Sequence, residues 1–263
     1  MRRPTRQAWQ VRRAWLVRRA WIAGLAVLAV TVLAVTGCQS SVINSTTSTV
    51  TSGGPGVSIP GTHRSTTVYH ISSPVSTLVV TGHAGDVTVT GGAGPGTSVT
   101  EQVTYSKTPP ATTRTFGGGT LTVTYSCPAQ ILCTVSYDIQ VPRNAAVRVT
   151  TAAGGIRLSG LAGNVTAEAD VGIITADGLS SPSASLTTSV GAITAAFTAP
   201  PATVRATANV GAVTVRVPAG TSYQVSADAR IGKATISVPQ SPSAPHAITA
   251  TTNVGTVLVG PPA

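Results

Sequence analysis

The sequence predicts an all-β protein, a β-solenoid or closely related repeat sheet of 18–23-residue glycine-anchored coils, placed after an N-terminal signal segment. Three observations predict it. A glycine recurs at Gly154, Gly172, Gly191, Gly211, Gly232 and Gly255, at spacings of 18, 19, 20, 21 and 23 residues, with an earlier copy at Gly85. Around each glycine, apolar residues alternate with the two-residue period of a strand and not with the longer period of a helix. Beyond Cys38 the chain is dominated by Gly, Ala, Thr, Ser and Val, a composition that favours strands and turns.

The elements follow in chain order. Residues 1–37 read as a lipoprotein signal peptide: seven arginines in the first nineteen positions, then the apolar run "AWIAGLAVLAVTVLAV" from Ala20 to Val35. That run has 16 residues, short of the ~20 that a spanning helix needs. It ends in Val35, Thr36, Gly37 and Cys38, which resembles the bacterial lipobox. The resemblance implies that the Cys38 thiol receives a diacylglycerol carrying palmitate-type chains and becomes residue one after cleavage. A thiol is the strongest nucleophile available there, and two acyl chains give lasting attachment where one is marginal. The stretch "VRRAWLV" at 11–17 also looks like a twin-arginine export signal, so the general secretory and twin-arginine routes both stay open. Either puts the mature chain on the extracytoplasmic face of the cell membrane.

Residues 38–66 read as a flexible Ser/Thr/Gly-rich linker with too little apolar surface to fold alone. As a coil it spans roughly 30 Å. The folded domain is expected over 67–260, with a less regular first half over 67–146. There "TLTVTYS" and "TVSYDIQV" read as the strands of a hairpin, and Cys127 and Cys133 between them read as a disulfide, which fits an oxidising compartment. Their spacing suits neither a redox CxxC pair nor a metal site.

In the regular half the copies stay in phase. Just before the glycine come Ala84, Ala153, Val171, Val190, Val210, Ile231 and Val254; two positions after it come Val87, Ile156, Ile174, Ile193, Val213, Ala234 and Val257. Both rows are expected to form aliphatic ladders down a narrow interior, since no single copy can bury its apolar face alone. The closing "GPPA" is expected to discourage a further strand from pairing.

The stretches "TLVVTGHAGDVTVTGG" and "VSYDIQVPRNAAVRVTTAAGGIRLSGLAGNVTAEADVG", with the later glycine-anchored copies and the turn from Ile139 to Pro142, resemble the bacterial putative-adhesin family. The resemblance covers roughly 75–259. It implies a β-solenoid-like domain of unknown function and brings no catalytic residues.

The formal charge of +10 would suit a nucleic-acid binder, but its distribution argues against one. Beyond Cys38, ten basic residues face seven acidic ones, leaving +3, scattered and without stacking aromatics. His63, His70, His83 and His246 show no metal-ligand spacing, and neither a metal nor a cofactor is expected. Glu168 and Asp228 fall in one outward column and are expected two coils, roughly 10 Å, apart by the strand spacing. Glycosidase carboxylates stand about 5–9.5 Å apart, but in a cleft with a sugar platform, and the sequence offers neither. The one outer row that suggests binding is Thr88, Thr175, Thr194, Thr214 and Thr235, three residues past the glycine and interrupted by Arg157. A second threonine column precedes the glycine: Thr81, Thr150, Thr187, Thr207 and Thr251. Threonine suits exposed strands in any case, and a flat hydroxyl face also suits a glycan or another sheet.

The expectation is therefore a lipid-anchored, non-catalytic cell-surface adhesion or envelope-scaffold protein, not an enzyme, whose partner is a cell-wall glycan or an envelope protein. The alternative is a glycan- or wall-binding sensor partner in an envelope-stress system.

Overall fold

The computed structural model describes residues 44–46, 61–129 and 132–262, and these contain strands and turns without an α-helix. Residues 1–43, with Val35, Thr36, Gly37 and Cys38, lie outside the described residues, as does most of the linker segment. The strands are β1 (Asn44–Thr46), β2 (His63–Ile71), β3 (Thr77–Ala84), β4 (Val87–Gly92), β5 (Thr97–Tyr105), β6 (Ala111–Gly117), β7 (Thr120–Ser126), β8 (Cys133–Pro142) and β9 (Ala146–Ala153). There follow β10 (Ile156–Ser159), β11 (Val165–Val171), β12 (Ile174–Leu179), β13 (Ser183–Val190), β14 (Ile193–Phe197), β15 (Thr203–Val210), β16 (Val213–Arg216), β17 (Gln224–Ile236) and β18 (Ala247–Gly260). β1 and the start of β2 fall inside the segment read as linker, and β1 pairs antiparallel with β2.

All 18 strands belong to one open sheet, arranged as two ladders that share their last two strands. One ladder runs β6–β7–β3–β9–β11–β13–β15–β18–β17. The other runs β2–β5–β8–β4–β10–β12–β14–β16–β18–β17. From β9 and β10 onward every pairing is parallel, and in register except for a shift between Ala176 and Leu179 where β12 meets β14. Thus Ile156 pairs with Ile174, Ile174 with Ile193, Ile193 with Val213, and Val213 with Val257. Columns of like side chains then pack directly, and Leu78, Val149, Ala167, Leu186, Ala206 and Ala250 are fully buried beside the isoleucine column. Aliphatic area of this kind contributes roughly 25 cal/mol per Å² removed from water.

The row two positions past the glycine is buried as expected from Val87 to Val257. Ala234 is the exception and is exposed, because it lies on the outermost strand. The row just before the glycine corrects the expectation. Val171, Val190, Val210, Ile231 and Val254 are 42–64% exposed. Alternation breaks at the corner: Ala208 is buried, then Asn209 and Val210 both face out before Val213 turns in. The pairing steps from Ala208–Thr252 to Val210–Val254 across that break. Gly211, with φ +145°, makes the corner, and a Cβ there would stand 1.8 Å from the Gly191 carbonyl oxygen. Buried threonines close the turn: Thr188 Oγ1 donates to Gly172 O at 3.1 Å, and Thr252 Oγ1 to Gly211 O at 3.0 Å.

The last two copies are also stacked out of chain order. After β16 the chain skips one position to lay down β17, then returns so that β18 pairs with β15 and β16 on one side and with β17 on the other. The glycine column accordingly runs Gly191, Gly211, Gly255, Gly232. At this end of the stack the outermost described strand is therefore β17, and not the strand before "GPPA". That edge is blunted by charge, with Asp228, Arg230 and Lys233 exposed on it, and its start is covered where Tyr223 bridges Gln240.

The disulfide joins Cys127 and Cys133, whose Cα atoms are 5.7 Å apart. Its flanking strands are not a hairpin. β7 pairs with β6 and β3, β8 with β5 and β4, so the loop crosses from one ladder to the other. Alternation fixes which face a residue takes, not which strand it meets. A short cross-link of this kind contributes about 2 kcal/mol through the unfolded chain.

Candidate functional site

In-register stacking turns every outward residue into a column. On the ladder of β12, β14 and β16, Thr175, Thr194 and Thr214 are consecutive partners. Thr88 is separated from them by Arg157, as the sequence shows. Thr235 is separated as well, because the inserted β18 puts Leu258 between it and Thr214. The expected five-residue row is thus a run of three with an outlier at each end.

The second ladder carries the longer hydroxyl surface. Thr124, Thr81 and Thr150 are consecutive, Glu168 follows, and Thr187, Thr207 and Thr251 continue to Asp228. A parallel column two residues away holds Arg148, Thr166, Ser185, Arg205, Thr249 and Ser226. The lattice spacing is about 4.8 Å along a column and about 6.6 Å between columns. Neighbouring hydroxyls reach each other, Thr251 Oγ1 donating to Thr207 Oγ1 at 3.3 Å. Arg148 and Glu168 form a loose surface pair at 3.6 Å, of a kind that contributes little to stability. The two carboxylates stand farther apart than the expected two coils: Thr187, Thr207 and Thr251 lie between Glu168 and Asp228, four strand spacings or roughly 19 Å, of which the inserted β18 adds one. They cannot share a glycosidic bond.

Sequence reasoning missed one charged cluster. Glu101 on β5 is buried, and its carboxylate accepts Arg114 Nη2 at 2.7 Å, Arg114 Nε at 3.3 Å and the Tyr137 hydroxyl at 2.6 Å. The Arg114 guanidinium lies 4.6 Å over the Tyr69 ring. Burial, opposed by the bond and charge of Glu101, leaves the Arg114 pKa raised. A signal existed: Glu101 falls on the inward parity of Val99 and Val103, and Arg114 on that of Phe116. Removing Arg114 strands a buried carboxylate, so Arg114→Ala is expected to cost about 3 kcal/mol, read as a lower urea midpoint.

Burial, reinforced by the Glu101 charge, pushes the Tyr69 and Tyr137 phenols well above their usual 10.0, and burial raises Tyr125 as well. Each folded phenol holds its proton more tightly than the unfolded one. Its stabilisation is complete below the unfolded value and is lost as pH climbs above it. Urea midpoints are expected to fall steeply above about pH 10, and less so in Tyr137→Phe.

His70, Ser72, Thr97, Ser98 and Gln140 line a shallow hollow beside the Gly92–Gly96 loop, where the buried Thr97 hydroxyl lacks a hydrogen-bond partner among the described residues. The histidines do not converge, and among the described residues no group of three or more His, Cys, Asp or Glu could hold a metal ion.

No protein-family profile matches the chain. No curated protein matches it either. Among solved structures, it is similar to a putative cell adhesion protein from Clostridium sporogenes at 9% identity and a TM-score of 0.43, over 76% of this chain and 100% of that one. A putative adhesin from Bacteroides fragilis aligns at 14% identity and a TM-score of 0.40, over 75% of this chain and 97% of that one. Another from Parabacteroides distasonis aligns at 13% identity and a TM-score of 0.29, over 74% and 96% respectively.

Proposed function

We propose that this chain is a lipid-anchored β-solenoid at the cell surface, acting without catalysis as an adhesion or envelope-scaffold module that binds cell-wall glycan through its hydroxyl faces. The observation that carries the reading is the width of the second-ladder lattice. Thr150, Thr187, Thr207 and Thr251 sit in one column with Thr166, Ser185 and Thr249 beside it, on parallel strands held in register. A flat hydroxyl array presents donors and acceptors at a fixed repeat and pays little ordering entropy on binding, which suits an extended polyhydroxylated polymer more than a small ligand. Attachment through Cys38 would hold that face close to the wall.

Co-sedimentation of the chain with isolated cell walls across a salt series tests the reading. Salt-resistant, saturable pelleting is expected, lost in Thr187→Lys/Thr207→Lys and reduced less in Thr194→Lys/Thr214→Lys, with each variant's fold checked by circular dichroism. Pelleting that modest salt abolishes, or that both folded variants retain, would dismiss the hydroxyl faces. Loss of fatty-acid labelling in Cys38→Ala tests the anchor separately.

A further inference from the structure

The exposed apolar row at the corner has no role in the hydroxyl lattice. In stacking order it reads Val171, Val190, Val210, Val254 and Ile231, each the direct partner of the next. Beside it runs the glycine column, which raises no side chain against an incoming surface, and Ile173 is 56% exposed just past Gly172. Soluble surfaces scatter exposed aliphatics singly; a contiguous row of five marks a contact surface.

Charge along the row is graded. The residue before each apolar position is Asp170 at one end, Ser189, Asn209 and Asn253 in the middle, and Arg230 at the other end, where Lys233 follows Gly232. Asp170, Arg230 and Lys233 are exposed, and none forms an ion pair among the described residues. The row is therefore symmetric in shape about Val210 and antisymmetric in charge.

We propose that the occupant of this strip is a second copy of the same chain, docked on it across a two-fold axis with opposite polarity. Val210 then meets its own counterpart, Val190 meets Val254, and Val171 meets Ile231. Asp170 of each copy faces Arg230 and Lys233 of the other, so both ends gain an opposite-charge contact. The repeat distance supplies the second argument. Apolar knobs about 4.8 Å apart interleave over five strands only with a partner of identical period, which a second copy has by construction. Parallel docking would set Asp170 against Asp170 and Arg230 against Arg230, and is excluded by the same charges. Four strand spacings make a strip roughly 19 Å long and a few side chains wide, less than the ~800 Å² per partner of a standard interface. The dimer is accordingly weak in dilute solution and forms where anchoring concentrates the chain.

The test uses the full chain in cell membranes and a short bismaleimide cross-linker. Val210→Cys is expected to give a covalent homodimer several-fold above the unsubstituted chain, while Thr187→Cys, on the hydroxyl face, stays at that baseline. Co-expressed Val171→Cys and Ile231→Cys chains are expected to cross-link to each other more than either does to itself, which fixes the polarity. Adding Asp170→Lys to Val210→Cys should reduce the dimer several-fold, and adding Arg230→Glu and Lys233→Glu to that variant should restore it. A Val210→Cys yield at baseline, or equal to that of Thr187→Cys, would overturn the proposal, as would a charge reversal without effect. Because the hydroxyl faces are untouched in Val210→Cys, wall binding and dimerisation fail independently.

Discussion

Gly211→Ala is expected to remove most of the protein's stability. The residue sits at φ +145°, where an L side chain is strained, and its added Cβ would lie 1.8 Å from the Gly191 carbonyl oxygen. That oxygen cannot move aside without breaking the ladder, because Gly191 itself stacks on Gly172 in the same way. Strain of this class costs about 1–3 kcal/mol before the clash is counted, so a loss above about 4 kcal/mol is expected, the range reserved for a named structural fault. Gly94→Ala is the control, since nothing stands within 4 Å of its Cβ position and its φ is ordinary. Urea denaturation of the two variants checks the expectation. Equal midpoints would mean that the corner is looser than the stacked glycines require.

Removing Ala247–Ala263 should be nearly as damaging. Among the described strands β17 pairs with β18 alone, and β15 and β16 lose their outer partner at the same time. Ile248, Ala250, Val257 and Val259, all buried, would be gone from the core. Three large aliphatics at about 1.5–3 kcal/mol each amount to a substantial share of a typical folding free energy of about 5–15 kcal/mol. Some of this is recoverable. Val225 and Val204 both pair with Ile248, so β17 can drop onto β15 in the same register with the same residues facing inward. A truncated chain is thus expected to keep its strand content at low temperature and to melt far earlier. An unchanged melting temperature would show that β18 contributes nothing.

That interchangeability explains what the sequence could and could not reveal. The columns were legible because each copy repeats the same inward positions: the isoleucine row from Ile156 to Ile193 was placed correctly from alternation alone. The order of copies was not legible. Alternation around Gly232 and around Gly255 fits either stacking order, and only the path of Ser237–His246 decides it. Val171, Val190 and Val210 were placed inside because a two-residue period was carried through the corner, where the backbone breaks parity. The disulfide was readable from compartment and spacing, whereas its crossing between ladders depends on long-range partners that no local pattern encodes. Of the hydroxyl surface, the columns were found, but their relative extent was not. Glu168 interrupts the longer one, and Leu258 cuts Thr235 from the shorter only because β18 is inserted.

The charge gradient of the corner, the last step of the column from Glu168 to Asp228 and the isolation of Thr235 all follow from one structural fact, that β18 lies between β15 and β17. Paired cysteines test it most directly. Thr207 and Thr251 are direct partners on adjacent parallel strands, while Thr207 and Asp228 are two strands apart. Adjacent outward positions at about 4.8 Å fall within the Cα span that a disulfide bridges. Thr207→Cys/Thr251→Cys is expected to form a second disulfide within the chain beside Cys127–Cys133, seen as a protected thiol pair by mass spectrometry, and Thr207→Cys/Asp228→Cys is expected to keep two reactive thiols. The reverse result would mean that the copies stack in chain order, and would contradict the account of both faces and of the corner.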